Sequence, residues 1–564
     1  NGAGTGLGVT STGALNAAAG TGFRISVPAG VATVDTSTGP AVSINNASIS
    51  LPLNFLRSTN STTNGVSLVN AFGALAGTAL SASGGQITDP GAASGTAVNI
   101  SGGTGNITLA LPITNSSGRA VDVNTRASDT VLFSGAVAET GTGISLTNNG
   151  GATINFTGGL TASTGTNAAF AATGGGTVSV TGATNTLATT TATALNVANT
   201  TIGAGGLTFR SIAANGATNG IVLNTTGAGG LTVTGTGAAG TGGTVQNSTA
   251  TGILLNSTGP VSLSSMVVSG SADDGINGAS VNGLTLTGLS LVNNGNSTTD
   301  EGLELTQLSG AASLTSNTFT GSAHNHVYLQ NTSTTVSSLA ITNNTFNANI
   351  AATGNHALLI EGLTGAPTFT SINIASNQFI SAQSIGVQVA ANNTTSMPSL
   401  TISGNTFTNN ILAVDVSLIQ ASNVTFTASN NIVTTNRASG SHALNSNQGI
   451  PSTGTVQGRI ANNTIGTAGV TGSGSPIGNG IRVVGNDNGT KRYIVTGSTI
   501  RETRQGRGIE IVNRNGTGPM DATVTSNNVN TDAQPADLPL SGIIVQSNCA
   551  ATCNTLRADI ATNT

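Results

Sequence analysis

The sequence is poor in charge, in aromatic rings and in cysteine. Asp, Glu, Lys and Arg together form 6% of its 564 residues, and the net charge is −4, whereas typical globular proteins carry roughly 25% charged residues. Trp is absent, and aromatic residues form only 3% of the chain. Without a basic surface or a set of stacking rings, the sequence predicts no nucleic-acid partner. Two cysteines in this length exclude a disulfide-dense scaffold.

Two further absences concern membranes and processing. The sequence contains no run of about 18 or more apolar residues, so we expect no transmembrane helix in this segment. It has neither an initiator Met nor a signal peptide, so we expect a mature or excised segment. Its last residues, Ile560, Asn563 and Thr564, begin a copy of the asparagine motif described below without completing it, so we expect the chain to continue beyond residue 564. Cys549 and Cys553 lie close together in sequence. They either form a disulfide across a small turn or stay reduced and buried.

Apolar and polar residues alternate along the chain. Hydrophobic residues form 37% of the sequence and the mean hydropathy is +0.15, which is too apolar for a typical disordered segment. One strand type, a small residue followed by apolar-x-apolar, recurs throughout; its members Val98, Val121 and Ile144 are spaced 23 residues apart. Because helix-disfavouring Thr, Gly, Asn and Ser are abundant and the apolar period is two, we predict an all-β fold.

A second strand type, in the second half of the chain, carries a repeated asparagine. It has the pattern apolar-x-x-Asn-x-aromatic, as in Ile341, Asn344 and Phe346. The asparagines of its copies are Asn317, Asn344, Asn377, Asn405, Asn463 and Asn527. The repeat is shorter than a propeller blade and far shorter than a sandwich domain. The sequence therefore predicts a parallel β-helix (solenoid) of roughly 20 coils with about 25–30 residues per coil.

These repeats resemble the right-handed parallel β-helix of the pectate-lyase-like superfamily and of the passenger regions of bacterial autotransporter and filamentous adhesins. The resemblance covers nearly the whole chain. It implies that the six asparagines stack as a ladder at one turn of successive coils.

Charge divides the chain into two regions of one solenoid. Residues 140–272 contain a single charged side chain, Arg210, whereas all four histidines follow residue 273. We therefore assign residues 1–270 to a Gly-, Thr- and Ala-rich β-helix that is nearly uncharged. Residues 271–564 form its continuation and carry the asparagine motif.

One group of polar side chains is a candidate for binding or catalysis. In the predicted coil register, segments 273–276, 300–303 and 324–327 align. The candidate metal ligands in these segments are Asp273, Asp274, Asp300, Glu301 and His324. Stacked like charges are unfavourable unless something compensates for them. Three interpretations stay open: a Ca²⁺ site, the carboxylate pair of a retaining glycosidase, or solvated turn carboxylates.

Histidines and a basic segment give two weaker candidates. His326 and His356 each follow an asparagine, one coil apart, and are either metal ligands or turn histidines. The segment 488–507 either contacts anionic glycans or belongs to cross-strand charge pairs, of which Arg482 and Glu510 would be one.

The sequence as a whole favours a non-enzymatic extracellular rod of a bacterial surface protein, either an adhesin stalk or a surface-fibre subunit. Its expected partners are cell-surface or matrix glycans or copies of itself, and no cofactor is required. Two alternatives are a polysaccharide lyase or glycoside hydrolase on a β-helix scaffold, and a phage or virus spike.

Overall fold

The computed structural model describes residues 4–10, 24–26, 32–73, 77–88, 95–348, 356–435, 437, 441–531, 542–548 and 555–564. Regular secondary structure in these ranges is entirely β-strand, and neighbouring strands pair in parallel. The chain forms two compact units, Asn1–Val267 and Val268–Thr564. Each unit is a right-handed parallel β-helix, which confirms the predicted fold class.

A typical coil contributes one strand to each of three sheets, although Val42–Leu53 and Ile276–Thr287 are single strands that span the first and second sheets. In the first unit, a representative coil consists of Arg119–Asn124, Thr130–Phe133 and Val137–Glu139, which belong to the first, second and third sheet, respectively. The next coil repeats this order, so that Val121 pairs with Ile144 and Val137 pairs with Leu160. Every strand therefore obtains its backbone hydrogen bonds from the coils before and after it.

In the first unit, the first-sheet strands are Leu7–Thr10, Arg24–Ser26, Val42–Leu53, Val66–Gly73, Thr96–Ser101, Arg119–Asn124, Ile144–Thr147, Phe170–Thr173, Leu195–Ala198, Ile221–Gly227 and Ile253–Thr258. The second-sheet strands are Thr78–Ala82, Asn106–Leu109, Thr130–Phe133, Thr153–Phe156, Thr177–Val180, Thr201–Phe209, Leu231–Val233 and Val261–Ser264. The third-sheet strands are Thr33–Thr36, Phe55–Thr59, Gly85–Thr88, Ile113–Asn115, Val137–Glu139, Leu160–Ser163, Thr186–Ala188, Ser211–Asn215 and Thr244–Gln246.

In the second unit, the first-sheet strands are Ile276–Thr287, Leu303–Thr306, Val327–Asn331, Leu358–Gly362, Ile385–Ala391, Leu412–Gln420, Leu444–Ser452, Ile481–Asn486, Ile509–Arg514 and Ile543–Asn548. The second-sheet strands are Ser309–Thr315, Thr335–Thr342, Thr368–Phe369, Ile372–Ala375, Ser396–Ser403, Asn423–Ser429, Thr455–Ala461, Thr490–Thr496, Met520–Thr525 and Leu556–Ala561. The third-sheet strands are Val267–Ser269, Ser290–Val292, Thr318–Thr320, Thr345–Asn347, Gln378–Ile380, Thr406–Thr408, Ile432–Thr434, Thr464–Ile465, Thr499–Arg501 and Asn528–Asn530.

The core consists of identical columns of apolar side chains. Alternate residues of each strand point inward, and the aromatic position of the asparagine motif supplies one such column. The rings of Phe319, Phe346, Phe379 and Phe407 stack with centroid separations of 5.0, 4.8 and 4.9 Å. This spacing matches the distance between neighbouring strands, so each ring packs on its counterpart in the next coil.

A tight turn with a left-handed residue connects the second sheet to the third. The residue before each motif asparagine has a positive φ, for example Asn343 at 58° and Gly404 at 63°. Gly and Asn adopt this conformation at low cost. The turn directs the following asparagine inward, between the coils.

Candidate functional site

The carboxylates singled out from the sequence lie where the chain approaches the first sheet of the second unit. Ile276 pairs with Leu303 in that sheet. Continued backwards, this register places Asp274 opposite Glu301, and the following strand pair places Glu301 opposite Asn325. These side chains therefore lie at equivalent positions of successive coils.

Three carboxylates converge here: Asp274, Glu301 and Glu304, whose oxygens lie within 4.8 Å of one another. We call these three residues the acidic corner. Glu304 was not among the residues predicted from sequence, because it lies on the strand itself and faces away from the core. A signal was present, since the offset that aligns Asp274 with Glu301 also aligns Asn277 with Glu304.

Hydrogen-bond donors of the chain itself separate these carboxylates. Asn277 Nδ2 donates to Asp274 Oδ2 at 2.7 Å and to Glu304 Oε2 at 2.6 Å. The backbone N–H of Glu301 donates to Asp274 Oδ1 at 2.6 Å. Repulsion between the stacked acids is therefore reduced without a bound cation.

Burial changes the protonation of the corner. Desolvation raises the pKa of Asp274 to about 8, and the negative charges of Glu304 and Asp273 act in the same direction. Hydrogen bonds from Asn277 and from the Glu301 N–H oppose this rise in pKa only in part. The pKa of Glu304 is also raised, first by burial and then by the charge of Glu301. Burial thus favours the protonated form of Asp274.

Glu301 is held from the following coil by two side chains. His324 Nδ1 lies 2.7 Å from Glu301 Oε1, and Asn325 Nδ2 donates to the same oxygen at 3.0 Å. His324 thus forms an ion pair with Glu301 whenever its ring is protonated.

The two remaining predicted ligands do not join the corner. The Asp300 carboxylate accepts hydrogen bonds from the backbone N–H groups of Asn296 and Ser297, both at 2.9 Å, and from the Ser297 and Thr299 hydroxyls. Burial alone would raise the pKa of Asp300, but these hydrogen bonds outweigh it and lower the pKa. Asp273 is exposed, and its charge raises the pKa of Asp274 and of Glu304.

The donor set of the corner tests the predicted Ca²⁺ site. Ca²⁺ takes about 6–8 oxygen ligands. Asp274 uses both carboxylate oxygens as acceptors for N–H groups, and Asn277 points its NH₂ group at the acids. This arrangement fits a hydrogen-bonded acid cluster better than a cation cage.

The two predicted histidines occupy different columns. His326 is buried and its Nδ1 lies 2.9 Å from Ser322 Oγ; its ring is next to Phe319 and Phe346. Burial lowers the pKa of His326 to about 3, so the ring is a neutral part of the core. His356 instead lies opposite Asn325 in the coil register, and the backbone N–H of His356 donates to Asn325 Oδ1 at 2.9 Å. The coil register thus places His356 one position away from the residue opposite His326.

A row of polar side chains continues from the acidic corner along the outer face of the first sheet. We call it the polar row, and its members in order are Asn277, Glu304, Tyr328, Gln388, Asp415, Asn445, Arg482 and Glu510; the apolar Leu359 interrupts the row between Tyr328 and Gln388. Neighbours are connected: Asn445 donates to Asp415 at 2.6 Å, and Arg482 lies 3.5 Å from Glu510. In a chain with so few charges, this row concentrates hydrogen-bonding and ionic groups on one face.

The basic segment 488–507 contributes less surface than its sequence implies. Lys491 is 1% exposed and Tyr493 is also 1% exposed, because both occupy inward positions of strand Thr490–Thr496. Tyr493 Oη lies 2.9 Å from Ser446 Oγ. Neither side chain is available to a glycan, so a glycan contact of this segment would depend on its exposed residues, such as Arg492 and Arg504. Arg507, by contrast, pairs with Glu510 at 2.6 Å.

The motif asparagines form a buried ladder between the coils. Asn344 Nδ2 donates to Asn377 Oδ1 at 3.0 Å and to the Leu314 carbonyl at 2.8 Å. The same pattern connects Asn317, Asn344, Asn377, Asn405, Asn431 and Asn463, and separately Asn527 and Asn563. Ser498 occupies the position between Asn463 and Asn527. The ladder is structural, and Asn431 is a member that the sequence motif missed.

Two sequence predictions concern other parts of the chain. Cys549 and Cys553 lie outside the described residues. Among the residues that are described, there is no helix with the length and apolar character needed to cross a membrane.

Comparison with known proteins returned no match: no protein family, no curated protein and no solved structure is significantly similar to this chain.

Proposed function

We propose that this chain is a non-enzymatic extracellular rod of a bacterial surface protein, serving as an adhesin stalk or a surface-fibre subunit. The observation that carries the proposal is the asparagine ladder, in which each buried amide is satisfied by the next coil. Such a design makes every coil a support for its neighbours and gives length rather than a cavity. The resemblance to adhesin passenger regions points in the same direction.

The polar row supplies a contact face for the proposed partners. Sugar hydroxyl groups both donate and accept hydrogen bonds, and the amides and carboxylates of the row offer both kinds of partner. Tyr328 adds an amphipathic ring whose hydroxyl donates to Glu361 at 2.8 Å. The expected partners are therefore cell-surface or matrix glycans, or the same face of another copy.

A carbohydrate-active enzyme is the second candidate, and the acidic corner is what favours it. Two neighbouring carboxyl groups, one of them with a raised pKa, are typical of glycoside hydrolases. However, Asp274 is 2% exposed and Glu301 is 3% exposed, and both are engaged by donors of the chain. A glycosidic oxygen would have to displace these donors, so we favour the non-enzymatic function.

The two functions are separated by one set of measurements on the purified chain. Glycan-array binding and bacterial clumping, without release of reducing or unsaturated ends from a polysaccharide panel, would support the rod. The enzyme would be established by polysaccharide cleavage that is lost in Asp274→Asn and Glu301→Gln. The control is Asp521→Asn, a partly exposed position on the second sheet, which should retain cleavage. A stable trimer with neither property would instead favour a phage or virus spike.

The contact face is tested with matched substitutions on one coil. Gln388→Arg places a bulky cation on the polar row, and Thr401→Arg places the same group on the outer face of the second sheet. We expect only Gln388→Arg to weaken glycan binding or clumping. Equal effects of both substitutions would show that the polar row is not the contact face.

A further inference from the structure

The only lysine of the sequence is buried against a buried asparagine. Lys491 lies on the second-sheet strand Thr490–Thr496, and Asn513 lies on the first-sheet strand Ile509–Arg514 of the next coil. Their side chains are 1% and 0% exposed, respectively. Lysine is almost never fully buried unless it is paired. Here its Nζ lies 3.3 Å from Asn513 Oδ1.

Backbone oxygens hold both groups in place. Lys491 Nζ donates to the Asp487 carbonyl at 3.1 Å and to the Gly518 carbonyl at 3.2 Å. The Gly518 oxygen also accepts from Asn513 Nδ2 at 3.3 Å. The amine and the carboxamide therefore share an acceptor, which fixes both nitrogens on the same side of the pair.

The surroundings exclude water from this pair. The inward column that contains Lys491 continues with Val456 on one side and Met520 on the other. Burial lowers the pKa of Lys491 to about 8, and the charge of Asp487 opposes this only in part. Near neutral pH, a fraction of the amine is consequently neutral and nucleophilic.

We propose that Lys491 and Asn513 form an intramolecular isopeptide bond that joins two successive coils covalently. The lone pair of the neutral amine forms the Nζ–Cγ bond, and the Cγ–Nδ2 bond breaks with its electron pair going to Nδ2. One proton moves from Nζ to Nδ2, so ammonia leaves and a secondary amide remains. Holding the two groups together without water replaces a bimolecular encounter by an intramolecular step.

The cross-link would resist the separation of two successive coils. It would close a loop between residues 22 positions apart, so that two coils could no longer separate by breaking hydrogen bonds alone. This inference concerns a modification of the chain and does not depend on the proposed function.

Mass spectrometry of the purified, denatured and reduced chain tests the proposal. The intact mass should be lower than the sequence mass by one ammonia molecule. Trypsin should fail to cleave after Lys491 and should yield peptide 483–492 linked to peptide 508–514. Amine-reactive labelling of the denatured chain should modify the N-terminal amine alone, because no other lysine exists. An unchanged mass together with a labelled Lys491 would overturn the proposal.

Variants provide the matched controls. Lys491→Met should restore the full sequence mass and remove the linked peptide, as should Asn513→Ala. Asn513→Asp should still form the link, now with loss of water, and give the same cross-linked mass as the parent chain. A mass deficit that persists in Lys491→Met would place the modification elsewhere and refute the assignment.

Discussion

Replacing Asn344 by Leu should destabilise the second unit measurably. The Asn344 side chain accepts from the Asn317 backbone N–H at 2.8 Å and donates to the Leu314 carbonyl at 2.8 Å. It also exchanges hydrogen bonds with Asn317 Nδ2 and Asn377 Oδ1, each at 3.0 Å. Leu fills a similar volume but can neither donate nor accept.

The cost follows from the groups that lose their partners. The Asn317 N–H and the Leu314 carbonyl would remain buried without a hydrogen bond, at about 1–3 kcal/mol each. The two asparagine side chains on either side keep other partners, so their loss is smaller. We therefore expect a decrease of roughly 2–6 kcal/mol in the free energy of unfolding.

Urea unfolding followed by circular dichroism measures this change. The matched control is Asn373→Leu, which makes the same substitution at an exposed position of the neighbouring coil and should change stability by less than about 0.5 kcal/mol. If Asn344→Leu is as stable as Asn373→Leu, the ladder does not support the coils and the reasoning fails. Loss of glycan binding at unchanged stability would contradict the structural role of Asn344.

Three further predictions concern other features of the second unit. The pKa of Asp274 is raised from 3.8 to about 8 in the folded state, so the stability that Asp274 contributes is full below about pH 4 and is lost as the pH rises through 8. Asp274→Asn should flatten this part of the pH dependence of the urea midpoint. An unaltered profile would refute the raised pKa of Asp274. Phe379→Ala opens the ring stack and should cost about 3–5 kcal/mol, whereas a cost below that of an ordinary surface substitution would show that the stack is dispensable. Glu510→Gln should lose about 1 kcal/mol or less, because Arg482 and Arg507 are partly exposed; this loss should shrink at high salt, and a salt-independent loss would argue against an ionic contribution.

The β-helix and most of the ladder were predictable because they repeat. A buried amide at the same place on many coils recurs at regular spacing, so it can be recognised from the sequence without knowing the contacts between coils. The sequence pattern did not reveal Asn431, because Ala428 stands where the predicted copies have the larger apolar anchor Leu, Ile or Val. The amide alone still occupies its place, since the backbone turn rather than the flanking side chains positions it.

The arrangement of the candidate site could not be fully predicted, because it depends on contacts with side chains and loops outside each strand. The coil register aligns Asp300 with Asp273 and His324, but four hydrogen bonds from its own loop hold its carboxylate. The charge of Lys491 favours a surface position, but the alternation of Lys491, Tyr493 and Val495 places all three side chains inward. The pattern of period two was decisive there, and the usual preference of lysine for the surface was misleading.

The ladder also keeps the turns of successive coils in register although the number of residues per coil varies. Successive asparagines are 27, 33, 28, 26 and 32 residues apart, yet their Nδ2–Oδ1 distances stay between 2.9 and 3.1 Å. The difference between the 26- and 32-residue spacings lies between the third and first sheets: 3 residues separate Thr406–Thr408 from Leu412–Gln420, and 9 residues separate Ile432–Thr434 from Leu444–Ser452. Such connections are natural places to insert foreign peptides, because extra residues there leave the stacking of the coils unchanged. The connections between the third and first sheets can thus vary while the stacked strands of the coils stay the same.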